Sequence, residues 1–307
     1  MQGHRAFATS TAWTLRQHDH DREKKRLMEK STAFPYGVPV QLTPRVRRLT
    51  APNSGPMTGP GTNSYLIGTE RIALVDPGPA IESHIDALIA TVGDRLEWIF
   101  VTHTHRDHSP AAKAVAAATG AELVGNIIDN DGFQDPTFLE ARSVVNDECL
   151  STDEFMLRAV LTPGHVSNHV CYLVEEDRML ITGDHIMGGS TVVIIPPAGD
   201  MAHYIRSLER MLDYDLTSLA PGHGALIDAP HAEVKHLIAH RLKRERKVSD
   251  ALAKVGPCSL ATLLPIVYDD VSESLHQMAA KSLLAHLLKL ATDGRAELLN
   301  DNWTSTN

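Results

Sequence analysis

Three cysteines, Cys149, Cys171 and Cys258, stand at unrelated spacings in a chain of 307 residues. They are too few and too irregular for a disulfide framework, so a reducing, cytoplasmic setting is expected. No run of about eighteen apolar residues occurs, which excludes an apolar membrane-spanning helix and leaves no membrane partner expected. The N-terminal segment lacks the apolar centre of a secretory signal. No Gly-x-Ser-x-Gly elbow is present, so a serine nucleophile of that type is not expected. Internal repeats and low-complexity tracts are also missing. What remains is a hydrophobic content of 43%, enough for one large core and a small satellite domain.

Charge is distributed unevenly around a net of −9. Residues 1–32 carry seven Lys/Arg and four Asp/Glu with few apolar groups and no periodicity, and are expected to form a disordered extension. An organellar presequence, or a start at Met28, would account for the segment as well. Residues 33–229 hold 12 basic and 25 acidic residues, an acidic catalytic domain that repels a polyphosphate at range. Residues 230–307 are nearly balanced, with 10 basic and 9 acidic residues.

The segment Thr102-His103-Thr104-His105-Arg106-Asp107-His108 places three imidazoles and a carboxylate together as H-x-H-x-D-H. These side chains bind zinc and similar divalent metals. A segment so short cannot easily wrap one ion with all four groups, but it can serve two adjacent ions if further ligands arrive from elsewhere. The apolar Trp98-Ile99-Phe100-Val101 before it reads as a buried strand, and the Ala-rich stretch after Pro110 as a helix with Ser109 as N-cap. The motif thus falls on a strand-to-helix loop, where catalytic groups of layered folds often lie. The alternative is a solvated loop that happens to be rich in histidine.

Further ligands follow downstream. Three strand-like stretches each end on a turn that offers one donor: His165 after Thr162-Pro163-Gly164, Asp184 after Thr182-Gly183, and His223 after Ala220-Pro221-Gly222. Glycine beside each lets the backbone approach closely. Singly each is weak; in this order they reinforce one another.

That order of motifs resembles the metallo-β-lactamase fold superfamily, from about Thr43 to Asp228. Gly61–Ile67 and Ala73–Gly78 look like the fold's opening strands. The resemblance implies a four-layer αββα sandwich of class α/β holding two zinc ions. His103, His105 and His165 would hold the first ion; Asp107, His108 and His223 the second; Asp184 would bridge both. The best-known β-lactamases place a cysteine on the second ion, whereas Asp184 stands at that stage here and Cys171 lies on a predicted strand. That departure argues against antibiotic hydrolysis and favours branches that include glyoxalase II-like thioesterases and nucleases.

A finer resemblance covers nearly the whole chain after residue 33. Thr102–Ala112, Thr162–His169 and Gly183–Thr191 look like the β-lactamase-like group that includes a mitochondrial single-strand endoribonuclease and fungal polyketide-releasing thioesterases. That group ends in a small winged-helix-like domain. Here residues 230–307 read as a helix from His231 to Val255, a second near Leu260–Val267, a third near Ser274–Thr292, and a wing strand at Arg295–Leu299. The basic run Arg241–Lys247 reads as a solvated helix face, with a nucleic-acid contact as the rival. The fold alone does not imply DNA binding.

The resulting expectation is a dinuclear zinc hydrolase using a metal-bridging hydroxide, with iron or manganese as alternative metals. Asp107 would both bind metal and orient the hydroxide or move a proton. The first substrate class is a small acyl compound (thioester, ester or lactone); single-stranded RNA is the second. A non-catalytic RNA- or partner-binding protein is the third reading, disfavoured by seven intact ligand positions. Asp76 is expected either to bond a ligand imidazole or to make a simple turn. Asn168, His169 and His185 stand between supporting the site or the substrate and plain packing. The Pro/Gly-rich loop Ala51–Gly61 is expected to border the site. Oligomeric state leaves no mark in the sequence.

Overall fold

The computed structural model describes residues 34–129, 131–139 and 141–306. The expected N-terminal extension, residues 1–32, lies outside the described residues. Two sheets and their flanking helices form four layers. The first sheet runs β1 (Val40–Gln41), β2 (Val46–Thr50), β3 (Asn63–Ile67), β4 (Ile72–Val75), β5 (Leu96–Phe100) and β6 (Glu122–Val124), paired in that order. The second holds β7 (Cys149–Ser151), β8 (Met156–Leu161), β9 (Val170–Val174), β10 (Met179–Gly183) and β11 (Ser218–Pro221), again as successive neighbours.

The strands read as continuous apolar runs because both of their faces are buried. Alternate residues go opposite ways. Tyr65, Ile67, Ala73 and Val75 of the first sheet meet Tyr172, Val174, Met179 and Ile181 of the second in the inter-sheet core. Leu66, Ile72, Leu74 and Ile99 face outward onto α1 (Glu82–Val92) and α2 (Ala112–Thr119) through Leu88, Val92, Ala112 and Val115. On the far side Cys171, Leu173 and Leu180 pack against α3 (Met201–Met211) and the first half of α4 (Pro230–Val255) through Tyr204, Leu208, Val234 and Leu237. This is the expected αββα sandwich.

The C-terminal module follows the expected order: the second half of α4, α5 (Leu260–Val267), α6 (His276–Thr292), and a hairpin of β12 (Ala296–Leu299) with β13 (Asn302–Ser305). Val248, Leu252, Leu263, Leu283, Leu287 and Trp303 form its core. Helix α4 therefore has one half in each core. Among the described residues no helix is long and apolar enough to cross a membrane.

One local expectation is corrected. Helix α2 begins at Ala112, capped by Ala111 with no side-chain bond. Ser109 instead donates to Asp135 Oδ2 at 2.8 Å. The loop's need to be tied to a distant segment outweighs the capping preference that reads locally.

His286 of α6 is fully buried, and among the described residues neither ring nitrogen has a protein hydrogen-bond partner. Burial, with Arg241, Arg244 and Lys289 nearby, depresses its pKa to about 3. Its ring is free to take up a proton once the chain unfolds, near pH 6.5. The folded state therefore keeps its full stability above that pH and loses it as the pH falls toward the folded value. His286→Leu is expected to add about 1 kcal/mol at neutral pH and to flatten the loss below pH 6.5. Urea unfolding at pH 7.5 and pH 5 checks this. An equal midpoint change in both proteins on acidification would refute it.

Candidate metal centre

The candidate ligands gather at one edge of the sandwich because of strand direction. β4 and β5 are parallel, β10 and β11 are parallel, and β8, antiparallel to β9, runs with β10. Asp76 follows β4, His103–His108 follow β5, His165 follows β8, Asp184 follows β10 and His223 follows β11. Hydrogen bonds tie the two sheets at that edge. Asn63 N–H donates to the Gly222 carbonyl at 2.8 Å, Tyr65 OH to the Pro221 carbonyl at 2.7 Å, and Val170 N–H to the Thr102 carbonyl at 2.8 Å. Close approach explains one glycine: a Cβ on Gly222 would lie 2.7 Å from His108 Cε1.

All seven expected residues come together. His103, His105 and His165 form one group able to hold a metal ion, and Asp107, His108 and His223 another. A third group, His103, His108 and Asp184, joins them, and within each group the donor atoms lie within 4.8 Å of one another. His105 Nδ1 stands 3.0 Å from His103 Nε2 and 3.1 Å from His165 Nε2. The two oxygens of Asp184 divide between the groups. Oδ1 lies 3.4 Å from both His108 Nε2 and His223 Nε2, while Oδ2 lies 3.8 Å from His165 Nε2. Asp107 Oδ2 sits 3.2 Å from His223 Nε2.

The outer nitrogens of four rings are each held by an oxygen. His108 Nδ1 bonds Asp76 Oδ2 at 2.9 Å, His165 Nδ1 the Val193 carbonyl at 2.9 Å, His223 Nδ1 the Gly61 carbonyl at 3.2 Å, and His103 Nδ1 Thr102 Oγ1 at 3.0 Å. That threonine hydroxyl donates to Asp76 Oδ2 at 2.8 Å, so it accepts from His103. An oxygen acceptor outside fixes the proton there and turns the inner lone pair toward the centre. Accordingly the buried inner atoms His108 Nε2, His223 Nε2 and Asp184 Oδ1 have no hydrogen-bond partner among the described residues. Buried polar atoms left in this way, converging from three strand ends, fit a bound cation.

Electrostatics separates the groups. Burial, reinforced by the neighbouring imidazoles, holds His103 well below the ordinary histidine range; burial lowers His165 and brings His105 to about 4. Burial thus favours the neutral, ligating form in this trio. Against the same burial, the carboxylates of Asp107, Asp184 and Asp76 raise His108, and Asp184 and Asp107 raise His223. Asp184 is held well below its usual range, despite burial, by His223 and His108.

The remaining candidates resolve differently. Asp76 accepts from Thr102 N–H at 2.7 Å as well as from Thr102 Oγ1 and His108, so it braces the motif rather than merely turning the chain. Asn168 Nδ2 donates to Thr104 Oγ1 at 2.9 Å and to the Asn126 carbonyl at 2.7 Å, pinning the loop. His169 Nε2 accepts from the Asp184 N–H at 3.2 Å and its Nδ1 bonds Thr162 Oγ1 at 2.8 Å, so it aims the Asp184 backbone. His185 turns away from the centre and packs, tilted by 58° and 4.8 Å between centroids, against the Tyr204 ring in the outer core; it is fully buried, with no exposure to a substrate. Sequence reasoning missed the Gly61 and Val193 carbonyls, which carry no side-chain signal. It also missed Gln134 and Asp135, which bond Thr104 and Ser109 and bring Phe133 to 6.2 Å from the His105 ring. The Pro/Gly-rich loop does reach the site, at Gly61.

The expected basic run is largely neutralised within the protein. Arg244 pairs with Asp270, Lys247 with Asp269, and Arg241 is buried. Lys243 and Arg246 are the exposed cations of this run among the described residues, so the run by itself does not support nucleic-acid binding.

Residues 57–223 match the family model described as Metallo-beta-lactamase superfamily. The chain belongs to that superfamily. Residues 259–303 match the Beta-lactamase associated winged helix domain. The chain is 31% identical over 262 residues to a beta-lactamase-like protein 2 homolog of Caenorhabditis elegans, covering 84% of this chain and 88% of that protein. It is 27% identical over 267 residues to the atrochrysone carboxyl ACP thioesterase AgnL7 of Paecilomyces divaricatus, covering 83% and 82%. Among solved structures, a beta-lactamase domain protein from Burkholderia ambifaria superimposes with a TM-score of 0.75 at 22% identity, covering 89% of this chain and 95% of that one. This metallo-beta-lactamase superfamily member is thus a metal-dependent hydrolase by fold, carrying His and Asp groups able to bind metal.

Proposed function

We propose that the chain is a dinuclear zinc hydrolase acting on a small acyl substrate: a thioester, ester or lactone. The observation that carries this reading is the division of Asp184 between two ligand groups, Oδ1 toward His108 and His223 and Oδ2 toward His165. His103, His105 and His165 would hold one ion, Asp107, His108 and His223 the other, with Asp184 shared. Iron or manganese suits the same donors. When bound, such a pair supplies a hydroxide nucleophile near neutral pH and Lewis acidity at the substrate oxygen.

The chain's own residues supply the rest. Asp107, its side chain 31% exposed, is the acid at the open side of the site, placed to orient an attacking water or carry a proton to the leaving group. Phe133, 46% exposed beside His105, gives the mouth an apolar lip suited to an acyl chain. The acidic balance of the surrounding domain and the thioesterase among its relatives support the same substrate class.

The test is turnover of a panel of acyl thioesters and of unstructured RNA by the same metal-loaded sample, with and without chelator. Thioester hydrolysis that chelator removes, zinc restores and His108→Ala abolishes is the expected result. Metal-dependent RNA cleavage with flat thioester rates would replace acyl hydrolysis by phosphodiester hydrolysis. Nucleic-acid affinity surviving metal removal, with no turnover of either, would leave a binding protein.

A further inference from the structure

Helix α4 carries a buried arginine that no catalytic argument has used. Arg241 is only 4% exposed, and its Nη2 donates to the Val192 carbonyl. Its guanidinium lies 5.2 Å from the Tyr204 ring centroid. The next residue's carbonyl, that of Val193, accepts the Nδ1 proton of His165 at 2.9 Å. Two consecutive carbonyls of one segment are thus held from opposite sides. Arg241 grips one from the outer helix layer, and the other sets the tautomer of a candidate ligand. The side chains agree: Val192 and Ile194 are buried in the outer core, while Val193 between them is only half-buried. The same Tyr204 donates its hydroxyl to the His185 carbonyl at 3.0 Å, one residue beyond Asp184.

A buried guanidinium is costly to desolvate, and an apolar side chain would close a core at least as well. What arginine adds here is a long, rigid donor to a carbonyl. One turn along α4, buried Glu245 is held by Lys289 of α6 at 2.9 Å and by Arg295 at 2.7 Å. The C-terminal module therefore fixes α4 directly next to Arg241.

We infer that Arg241 is a positioning residue for His165: through the Val192–Val193 backbone it transmits the seating of the C-terminal module to the His103, His105, His165 group. Loss of the bond frees the segment, and the Val193 carbonyl no longer holds the His165 proton on Nδ1 with the inner lone pair pointing to the centre. This rests on the proposed metal reading.

The experiment is zinc titration of the metal-stripped full chain by chelator competition, resolving the two equivalents. His165→Ala marks, by its loss, the equivalent belonging to the first group. Arg241→Met, which keeps the apolar stem, is expected to weaken that equivalent by roughly ten- to a hundredfold, as outer partners of ligands do, and to leave the other within about threefold, a factor small on that same scale. Arg241→Lys retains the buried cation and the fold with a shorter reach, and is expected to fall between. Wild-type affinity at the marked equivalent in a folded Arg241→Lys or Arg241→Met protein would overturn the inference. Equal weakening of both equivalents would too, since that is what general loosening of the fold produces. A wild-type chain that takes up no zinc would instead overturn the metal reading itself.

Discussion

Asp184→Ala is expected to lower metal content from about two ions per chain to one or fewer and hydrolysis by at least about a thousandfold, the scale on which removal of preorganised charge stabilisation acts. Among the described residues no other side chain faces both ligand groups with separate oxygens. Removing it takes one donor from each set and leaves His108 and His223, both raised in pKa partly by this carboxylate, with a weaker reason to be where they are. Asp184→Asn divides the effect into shape and charge. It keeps an oxygen and the van der Waals outline but loses the anion, and its amide nitrogen would present a donor where a ligand is required. Elemental analysis and thioester turnover on the same preparations measure both. Two ions retained in Asp184→Ala with near-normal turnover would remove Asp184 from the site.

Much of this arrangement was legible because the chemistry-bearing residues sit at strand ends. A strand is readable from its apolar run, and the polar residue that terminates it is then placed in space by the fold. His165, Asp184 and His223 needed only that logic, and the runs before them became β8, β10 and β11. What could not be read is what holds the ligands. The Gly61 and Val193 acceptors are backbone carbonyls, which every residue possesses. Arg241 and Glu245 looked like members of a solvated charged run, yet both are buried, because a helix with a half in each of two cores has apolar demands that change face along its length. Ser109 was misleading, while His185, open between a site role and packing, took the second. The serine makes a long-range bond to Asp135, and the histidine next to a ligand packs outward against Tyr204.

Asp76→Asn is expected to weaken metal binding and turnover by roughly ten- to a hundredfold while leaving the chain folded. Asp76 is 1% exposed and holds φ +53, a left-handed conformation that an L residue rarely adopts and that Asp tolerates better than most. Its carboxylate accepts three bonds: Oδ1 from the Thr102 N–H, Oδ2 from the Thr102 hydroxyl and from His108 Nδ1. Asparagine can keep the first with its oxygen. Its nitrogen then faces the hydroxyl and the imidazole, both of which were donors. The cheapest repair is for His108 to give up its Nδ1 proton and carry it on Nε2, the atom 3.4 Å from Asp184 Oδ1 that the metal site needs bare. The hydroxyl of Thr102 must turn as well, and with it the acceptor of the His103 Nδ1 proton is lost. One substitution therefore disturbs a ring in each ligand group without touching the centre. The prediction is specific in sign. Asp76→Asn should bind metal less well than wild type at every pH, because the wrong tautomer is neutral and is not restored by raising the pH. A His108→Ala protein should gain little further defect from Asp76→Asn, because the ring through which much of the carboxylate's effect passes is already absent. Chelator competition on the two single variants and the double variant measures the coupling. Strictly additive losses would show that Asp76 acts by some route other than His108.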